Sequence, residues 1–229
     1  PVTEPEEVEA IVAKTLRYVE QPEDGDWRKR ILWIANEMGS FQKRTNRLAG
    51  ELASYDGVSV YPTDGKTNAE TREELLRAFD EGQLLVHFLG HGGRFIWQTG
   101  RPDLTDDRDL FTLDDVERIR AGGRLPVVLS MTCYSAPFDH PNADSIGEKL
   151  LRVPDRGAVA VVAASWRISP TYEMSRLLTE ELTRPGTVGE AFARAKRRSS
   201  SLEFRHLFNL LGDPAAPIAV LDDVEQGSL

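Results

Sequence analysis

Four short, continuous apolar runs constrain the fold of this 229-residue chain more than any other feature. They occupy residues 30–35, 84–89, 125–132 and 157–164. Runs of this length are too short for buried helices and are typical of strands that are covered on both faces. Helical patterns separate the runs, so the sequence predicts an α/β fold with a mainly parallel sheet and helices on both faces.

Helical patterns fill most of the remaining chain. Apolar residues recur at helical spacing, and capping residues such as Thr67 and Thr112 precede some of the segments. We predict helices over residues 4–19, 41–55, 67–79, 112–119, 144–151, 170–183 and 187–199. Weaker strand patterns cover residues 58–61, 208–211 and 218–220. The segment from Gly92 to Phe111 is predicted to be a long loop, of the kind that carries function.

Length and composition fit one domain. With 40% hydrophobic residues the chain can bury one sizeable core, so we predict a single domain over residues 1–229 with a frayed tail at 222–229. The sequence opens at Pro1 rather than at methionine, and residues 1–7 are unlike a signal peptide. We interpret the chain as processed or excised, which is compatible with an upstream signal sequence and leaves the cellular compartment open.

Charge and cysteine content exclude several classes of protein. A net charge of -9 and a pI near 5.1 argue against binding to nucleic acid or to an anionic membrane surface, because both need a basic patch. No apolar run is long enough to span a membrane. A single cysteine excludes an internal disulfide framework and a zinc site with several cysteines.

That cysteine and one histidine end two of the apolar runs. Cys133 directly follows the run at 125–132, and His91 follows the run at 84–89 within Gly90-His91-Gly92-Gly93. Each has an ordinary interpretation, a small buried hydrophobe and a turn histidine respectively. If the two strands are neighbours in one parallel sheet, however, the side chains meet at its carboxyl edge. A histidine beside a thiol can stabilise the thiolate and protonate a leaving amine, so we predict Cys133 as nucleophile and His91 as general acid and base.

Gly92 adds a third element to this prediction. Its backbone N–H, together with that of Cys133, is placed to hold the oxyanion that forms when a thiolate attacks a carbonyl carbon. Glycine at this position lets a substrate approach the backbone closely.

Metal binding is the competing chemical interpretation. His87 and His91 lie four residues apart on one strand face, and Cys133 could be a third ligand. His87 sits within an apolar run, however, and fits a core position better, so we predict no metal site. Phosphate-binding loops and the Gly-x-Ser-x-Gly elbow of serine hydrolases do not occur in the sequence.

Six ordered blocks of the sequence resemble the gingipain family of cysteine peptidases, within the wider group of caspases, legumains, clostripain and separase. Two blocks are the runs that end in His91-Gly92, with Trp97 six residues past the histidine, and in Cys133. The other blocks are residues 138–141, 145–151, 157–162 and 210–215. The resemblance spans almost the whole chain.

This resemblance implies a caspase-like three-layer α/β sandwich that hydrolyses peptide bonds through an acyl-enzyme. It implies His91 and Cys133 as the catalytic pair, with the N–H groups of Gly92 and Cys133 as the oxyanion hole. In gingipains a glutamate just after an earlier strand orients the histidine, and Glu37 stands at the matching position. The alternative for Glu37 is a solvated loop carboxylate.

Substrate preference is where the sequence departs from the family. Arginine-selective gingipains carry an acidic residue in the loop after that glutamate, whereas residues 38–43 contain no carboxylate here. We therefore expect a pocket floored by Phe41 and walled by Met131 and Trp166, which favours an apolar or neutral side chain. An acidic residue of the long loop, Asp106 or Asp107, is the alternative source of a specificity carboxylate.

The expected partner is a protein or peptide substrate, with regulatory domains upstream in the parent protein. The alternative function is a caspase-like scaffold, or a regulated or inactive protease domain of a larger protein. No cofactor is predicted. Calcium is known in the family, but the acidic residues of the 100–115 loop are interpreted as solvated, and no ligand is assigned.

Overall fold

The computed structural model describes residues 2–101, 105 and 107–221, and therefore not the predicted frayed tail. The strands are β1 (Arg30–Ala35), β2 (Asp56–Val60), β3 (Leu85–Leu89), β4 (Gly92–Gly93), β5 (Ile96–Gln98), β6 (Asp109–Thr112), β7 (Val127–Met131), β8 (Ala160–Ala164) and β9 (Phe208–Gly212). The helices are α1 (Pro5–Glu20), α2 (Gly39–Glu51), α3 (Asn68–Asp80), α4 (Leu113–Val116), α5 (Ile146–Arg152), α6 (Tyr172–Leu182), α7 (Val188–Arg198) and α8 (Leu202–Leu207), and a 3₁₀ turn covers Asp26–Lys29.

Six strands form the central sheet in the order β2-β1-β3-β7-β8-β9. All neighbouring pairs are parallel except β8 and β9, which are antiparallel. The predicted mainly parallel sheet is therefore confirmed. Its centre is the pair β3 and β7, the two strands that end just before His91 and Cys133.

Helices cover both faces of the sheet, which gives the predicted three layers. Residues of β1 alternate between two cores: Ile31 and Trp33 belong to one, and Leu32 and Ile34 to the other. Helices α2, α6, α7 and α8 contribute to the first core, and α3, α4 and α5 to the second. Burial on both faces explains why the strands are apolar without alternation.

The predicted loop from Gly92 to Phe111 contains a small antiparallel sheet, in the order β4-β5-β6. Trp97 of β5 is fully buried and stacks on Phe88 with ring centroids 4.7 Å apart. Its indole N–H donates to Ser130 Oγ at 2.8 Å. Strands of two to four residues are too short to give a periodic signal, so this sheet was not predicted.

The chain after β8 also differs from prediction. Residues 218–220 are not a strand; the described chain there makes only an isolated bridge between Thr187 and Pro217. Pro217 has no N–H to extend that pairing, and Ile218 donates its own to Gly186 O at 2.9 Å. Helix α8 was not predicted.

Across the described residues, every helix is too short or too polar to cross a membrane.

Candidate active site

The register of the central strands brings His91 and Cys133 to the same level. Leu89, the last residue of β3, pairs with Met131, the last residue of β7. His91 and Cys133 each lie two residues further along, and a hydrogen bond from Gly90 N to Met131 O at 3.4 Å continues the pairing between them. Because neighbouring strands lie about 4.8 Å apart, the two residues emerge side by side at the carboxyl edge of the sheet.

The Cys133 thiol is half-buried and lies in a tight turn. It donates to the carbonyl oxygen of Ile168 at 2.8 Å. The next residue, Tyr134, has a φ of 52°, in the left-handed region that non-glycine residues seldom adopt. Its N–H donates to Trp166 O at 3.1 Å, which fixes the turn against the segment after β8. Such backbone strain is common where a functional side chain must be presented.

The His91 ring rests on the start of α2. Its Nε2 lies 3.3 Å from Met38 Sδ, and the Phe41 ring meets it edge-on with centroids 5.6 Å apart. Burial, and to a smaller extent the charge of Arg101, lower the pKa of His91 below its usual value. The imidazole is therefore neutral at pH 7 and able to accept a proton.

The two side chains have separate partners in this structure. Within the described part of the chain, no hydrogen bond joins the His91 ring to Cys133 Sγ. The structure thus places Cys133 and His91 level with each other, each with a partner of its own.

Gly92 lies where no other residue fits without displacement. A Cβ added to it would lie 2.7 Å from Ile96 O and 2.9 Å from Thr132 Oγ1. Neighbouring Gly93 has open space at the same position. Crowding by the protein's own backbone therefore requires glycine at residue 92, in addition to the predicted need for close substrate approach.

A cleft of about 640 Å³ opens beside the thiol. Its lining residues are Gly92, Gly93, Cys133, Tyr134, Trp166 and Arg167. The lining combines the thiol, glycine backbone and two aromatic rings, which suits an extended peptide chain.

Of the three predicted pocket residues, Trp166 alone is among those that line the cleft. It is 56% exposed and meets Tyr134 edge-on with centroids 5.5 Å apart. Met131 is 0% exposed because its side chain turns from the strand into one of the two cores. Phe41 packs against the same core and against His91. The expectation that Met131 and Phe41 form the pocket is corrected accordingly.

Glu37 does not contact His91 through any hydrogen bond among the described residues. Its carboxylate accepts from Arg108 Nη1 at 3.0 and 3.1 Å, and its N–H donates to Thr99 O at 2.5 Å. The next residue, Met38, is the one that touches the imidazole. The predicted role of Glu37 in orienting His91 stays a prediction, since no hydrogen bond between the two residues supports it among the described residues.

Sequence reasoning missed the ion pair that supports the cleft wall. The Arg94 guanidinium lies over the Tyr134 ring, 5.3 Å from its centroid, and pairs with Asp139. The Tyr134 hydroxyl donates to Asp139 at 3.1 Å. The sequence offers only positional hints of this ion pair: Tyr134 directly follows Cys133, and Asp139 lies in a block that resembles gingipains.

The residues considered as metal ligands lie in other surroundings. His87 is fully buried beside Trp33, and burial lowers its pKa to about 3, so the ring is neutral. Asp115 is buried and accepts hydrogen bonds from Thr112 and Arg118. Asp107 caps the N–H of Asp109 at 2.8 Å. Asp106 lies outside the described residues, and within them no three His, Cys, Asp or Glu side chains cluster as metal ligands would.

The fold and the strand-end cysteine and histidine define the class: a caspase-like α/β sandwich with the residue types of a cysteine peptidase. The chain belongs to peptidase family C25, whose family model matches residues 1–219. This match confirms the resemblance to gingipains that the six sequence blocks indicate.

Solved structures share the fold. The Arg-specific cysteine proteinase gingipain R matches with a TM-score of 0.75 at 17% identity, over 95% of this chain and 54% of that chain. The complex of pro- and mature domains of RgpB from Porphyromonas gingivalis matches with a TM-score of 0.73 at 18% identity, over 94% of this chain and 54% of the other. At such identity the likeness establishes the fold alone.

A plant protein is similar in sequence. Metacaspase-4 from Arabidopsis thaliana is 32% identical over 110 residues, which are 42% of this chain and 26% of the metacaspase. The chain thus spans about half the length of the solved structures that it matches and about a quarter of the metacaspase.

Proposed function

We propose that this domain is a cysteine endopeptidase in which Cys133 is the nucleophile and His91 the general acid and base. The observation that carries the proposal is the β3–β7 register, which puts both residues two positions past a paired strand end. Family membership makes peptide or protein chains the substrates. A nucleic acid or a membrane partner is not proposed, since the net charge is -9.

The proposed reaction proceeds through a thioester. The Cys133 thiol gives its proton to the neutral His91 imidazole, and the sulfur bonds to the carbonyl carbon of the scissile peptide. The C–N bond then breaks as the imidazolium protonates the leaving amine. Water adds to the thioester, His91 takes a proton from that water and returns it to sulfur, and the new carboxylic acid leaves. Thiol and imidazole supply every group used, so no cofactor is proposed.

The N–H groups of Gly92 and Cys133 are proposed to hold the oxyanion. Both residues line the cleft beside the thiol. Preorganised backbone donors of this kind typically contribute a factor of about 10² to 10³ in rate each.

In the proposed reaction, each of the two side chains leaves its present partner so that the His91 ring and Cys133 Sγ can meet. Cys133 Sγ must leave Ile168 O, and the His91 ring must turn from Met38 toward the sulfur. We propose that an entering peptide drives this exchange, because its carbonyl oxygen takes up the backbone donors next to the thiol.

A second candidate is a regulated or inactive caspase-like domain. The observation that favours it is the same hydrogen bond from the Cys133 thiol to Ile168 O, which keeps the thiol on a partner other than the His91 ring. For RgpB, the solved complex of pro- and mature domains pairs a second domain with the peptidase. In this alternative an additional domain controls whether the exchange occurs.

Hydrolysis of a mixed peptide library separates the two candidates. The purified chain is incubated with the library, and its cleavage products are compared with those of Cys133→Ala and His91→Ala variants whose folds are checked by circular dichroism. We expect cleavage by the native chain alone. Equal cleavage by Cys133→Ala contradicts the proposed mechanism, and no cleavage by the native chain favours the regulated domain.

A further inference from the structure

The charge of the cleft is opposite to that of the protein. The chain carries a net charge of -9, yet the only charged side chain among the described residues that line the cleft is Arg167. Its guanidinium makes no hydrogen bond or ion pair with any described residue. An arginine fork is therefore free to face a bound ligand.

Two acidic groups in the described part of the site have arginine partners of their own. Asp139, which supports the cleft wall, is paired with Arg94, and that pairing lowers its pKa. Glu37 is paired with Arg108. Arg101 adds a second positive charge near the catalytic histidine. Among the described residues near the thiol and His91, Arg167 and Arg101 therefore add positive charge to a chain whose net charge is negative.

The backbone on either side of Arg167 is tied to the catalytic turn. Trp166 O accepts the N–H of Tyr134 at 3.1 Å, and Ile168 O accepts the Cys133 thiol at 2.8 Å. Further back, Ser165 N donates to Leu207 O at 2.9 Å. The position of Arg167 relative to Cys133 is thus fixed at its backbone, while the residue itself is exposed and lines the cleft.

We propose that Arg167 makes the cleft selective for substrates with an acidic side chain, aspartate or glutamate, next to the scissile bond. The inference rests on the proposed peptidase function and deepens it. A guanidinium fork binds a carboxylate through two parallel N–H···O bonds, which an amide or an alkyl side chain does not reproduce. A lysine or arginine side chain in the same cleft would meet a like charge. This assignment replaces the apolar pocket expected from Phe41 and Met131.

The test uses peptides that differ only at the residue whose carbonyl is attacked. Asp, Glu, Asn, Gln, Ala and Lys are compared by kcat/KM for the native chain and for Arg167→Gln, Arg167→Glu and the control Arg197→Glu. Arg197 is an exposed residue near the end of α7. A charge-assisted bond of this type should favour Asp or Glu over Asn or Gln about 10- to 100-fold. Arg167→Gln should bring that ratio near one, Arg167→Glu should shift the preference to Lys, and Arg197→Glu should retain the native preference.

Equal or preferred cleavage of neutral or Lys peptides by the native chain overturns the inference, as does an unchanged preference in Arg167→Glu. Binding of the same peptides to Cys133→Ala, measured by calorimetry, tests the charge preference without catalysis. Cleavage that depends on Cys133 but shows no preference for acidic peptides defeats this inference and leaves the proposed peptidase function standing. Tighter binding of acidic peptides by a chain that cleaves none defeats the proposed function and leaves the selectivity standing.

Discussion

His91 and Cys133 stand at matching positions beyond the paired residues Leu89 and Met131, one at the end of each central strand. Two backbones in register, rather than a direct side-chain contact, bring the proposed base and nucleophile together.

The charge of Arg101 affects the proton affinity of His91, the proposed general acid and base. Burial is the main cause of the lowered His91 pKa, and Arg101 adds to it by repelling the imidazolium. Arg101→Ala should therefore raise the His91 pKa, and Arg101→Glu should raise it further. A histidine NMR titration of each variant measures the shift. A control variant, Arg197→Ala, should leave the titration unchanged, and a fall in pKa in Arg101→Glu would contradict the account.

Gly92 and Gly93 form a matched pair of adjacent glycines. In Gly92→Ala the new methyl group meets Ile96 O and Thr132 Oγ1, whereas Gly93→Ala has open space. We expect Gly92→Ala to lower the free energy of unfolding by about 1–3 kcal/mol and to reduce peptide cleavage, because overpacking shifts the backbone. Gly93→Ala should be within about 0.5 kcal/mol of the native chain. Urea denaturation of both variants checks this, and equal losses would refute the crowding argument.

His87 should make the fold sensitive to acid. Its folded pKa is about 3, against about 6.5 in the unfolded chain, so the unfolded state binds more protons between these values. Stability is then complete above pH 6.5 and is lost as the pH falls toward 3, by about 1.4 kcal/mol per pH unit. His87→Leu should flatten this slope, which urea denaturation from pH 7 to 4.5 would measure. The exposed His206, changed to Gln, serves as control and should keep the native slope.

Lys14 fastens α1 to the end of α5. Its buried Nζ donates to the carbonyls of Leu151 at 2.6 Å, Val153 at 3.1 Å and Arg156 at 2.9 Å. Lys14→Met leaves these carbonyls without a donor, so we expect a loss of about 2–4 kcal/mol in unfolding free energy. Lys43→Met, on the exposed side of α2, should cost little. Thermal denaturation of both variants would show the difference, and similar melting temperatures would contradict it.

The sheet was predictable because continuous apolar runs mark strands that are covered on both faces. Its register was not predictable, because neither composition nor spacing determines it. The placement of His91 and Cys133 at the ends of neighbouring strands was predictable because both follow such runs. The sheet of β4, β5 and β6 was not, since its strands are held by the burial of Trp97 rather than by a pattern of their own.

Side-chain directions at the site were also beyond the sequence. Met131 precedes Cys133 by two residues, but strand alternation turns its side chain into the core. Glu37 finds Arg108, a residue 71 positions away, and the Ile168 carbonyl reaches Cys133 across 35 positions. Such contacts depend on the packed fold, and no local sequence pattern predicts them.

Intact-mass analysis of the acyl-enzyme tests the central claim most directly. A peptide ester is mixed with the native chain, and the reaction is quenched in acid within seconds. The account predicts that the protein gains the mass of the acyl group and that fragmentation locates this group on Cys133, with no gain in Cys133→Ala. Turnover of the ester with an unmodified Cys133, or with the acyl group on another residue, would contradict it.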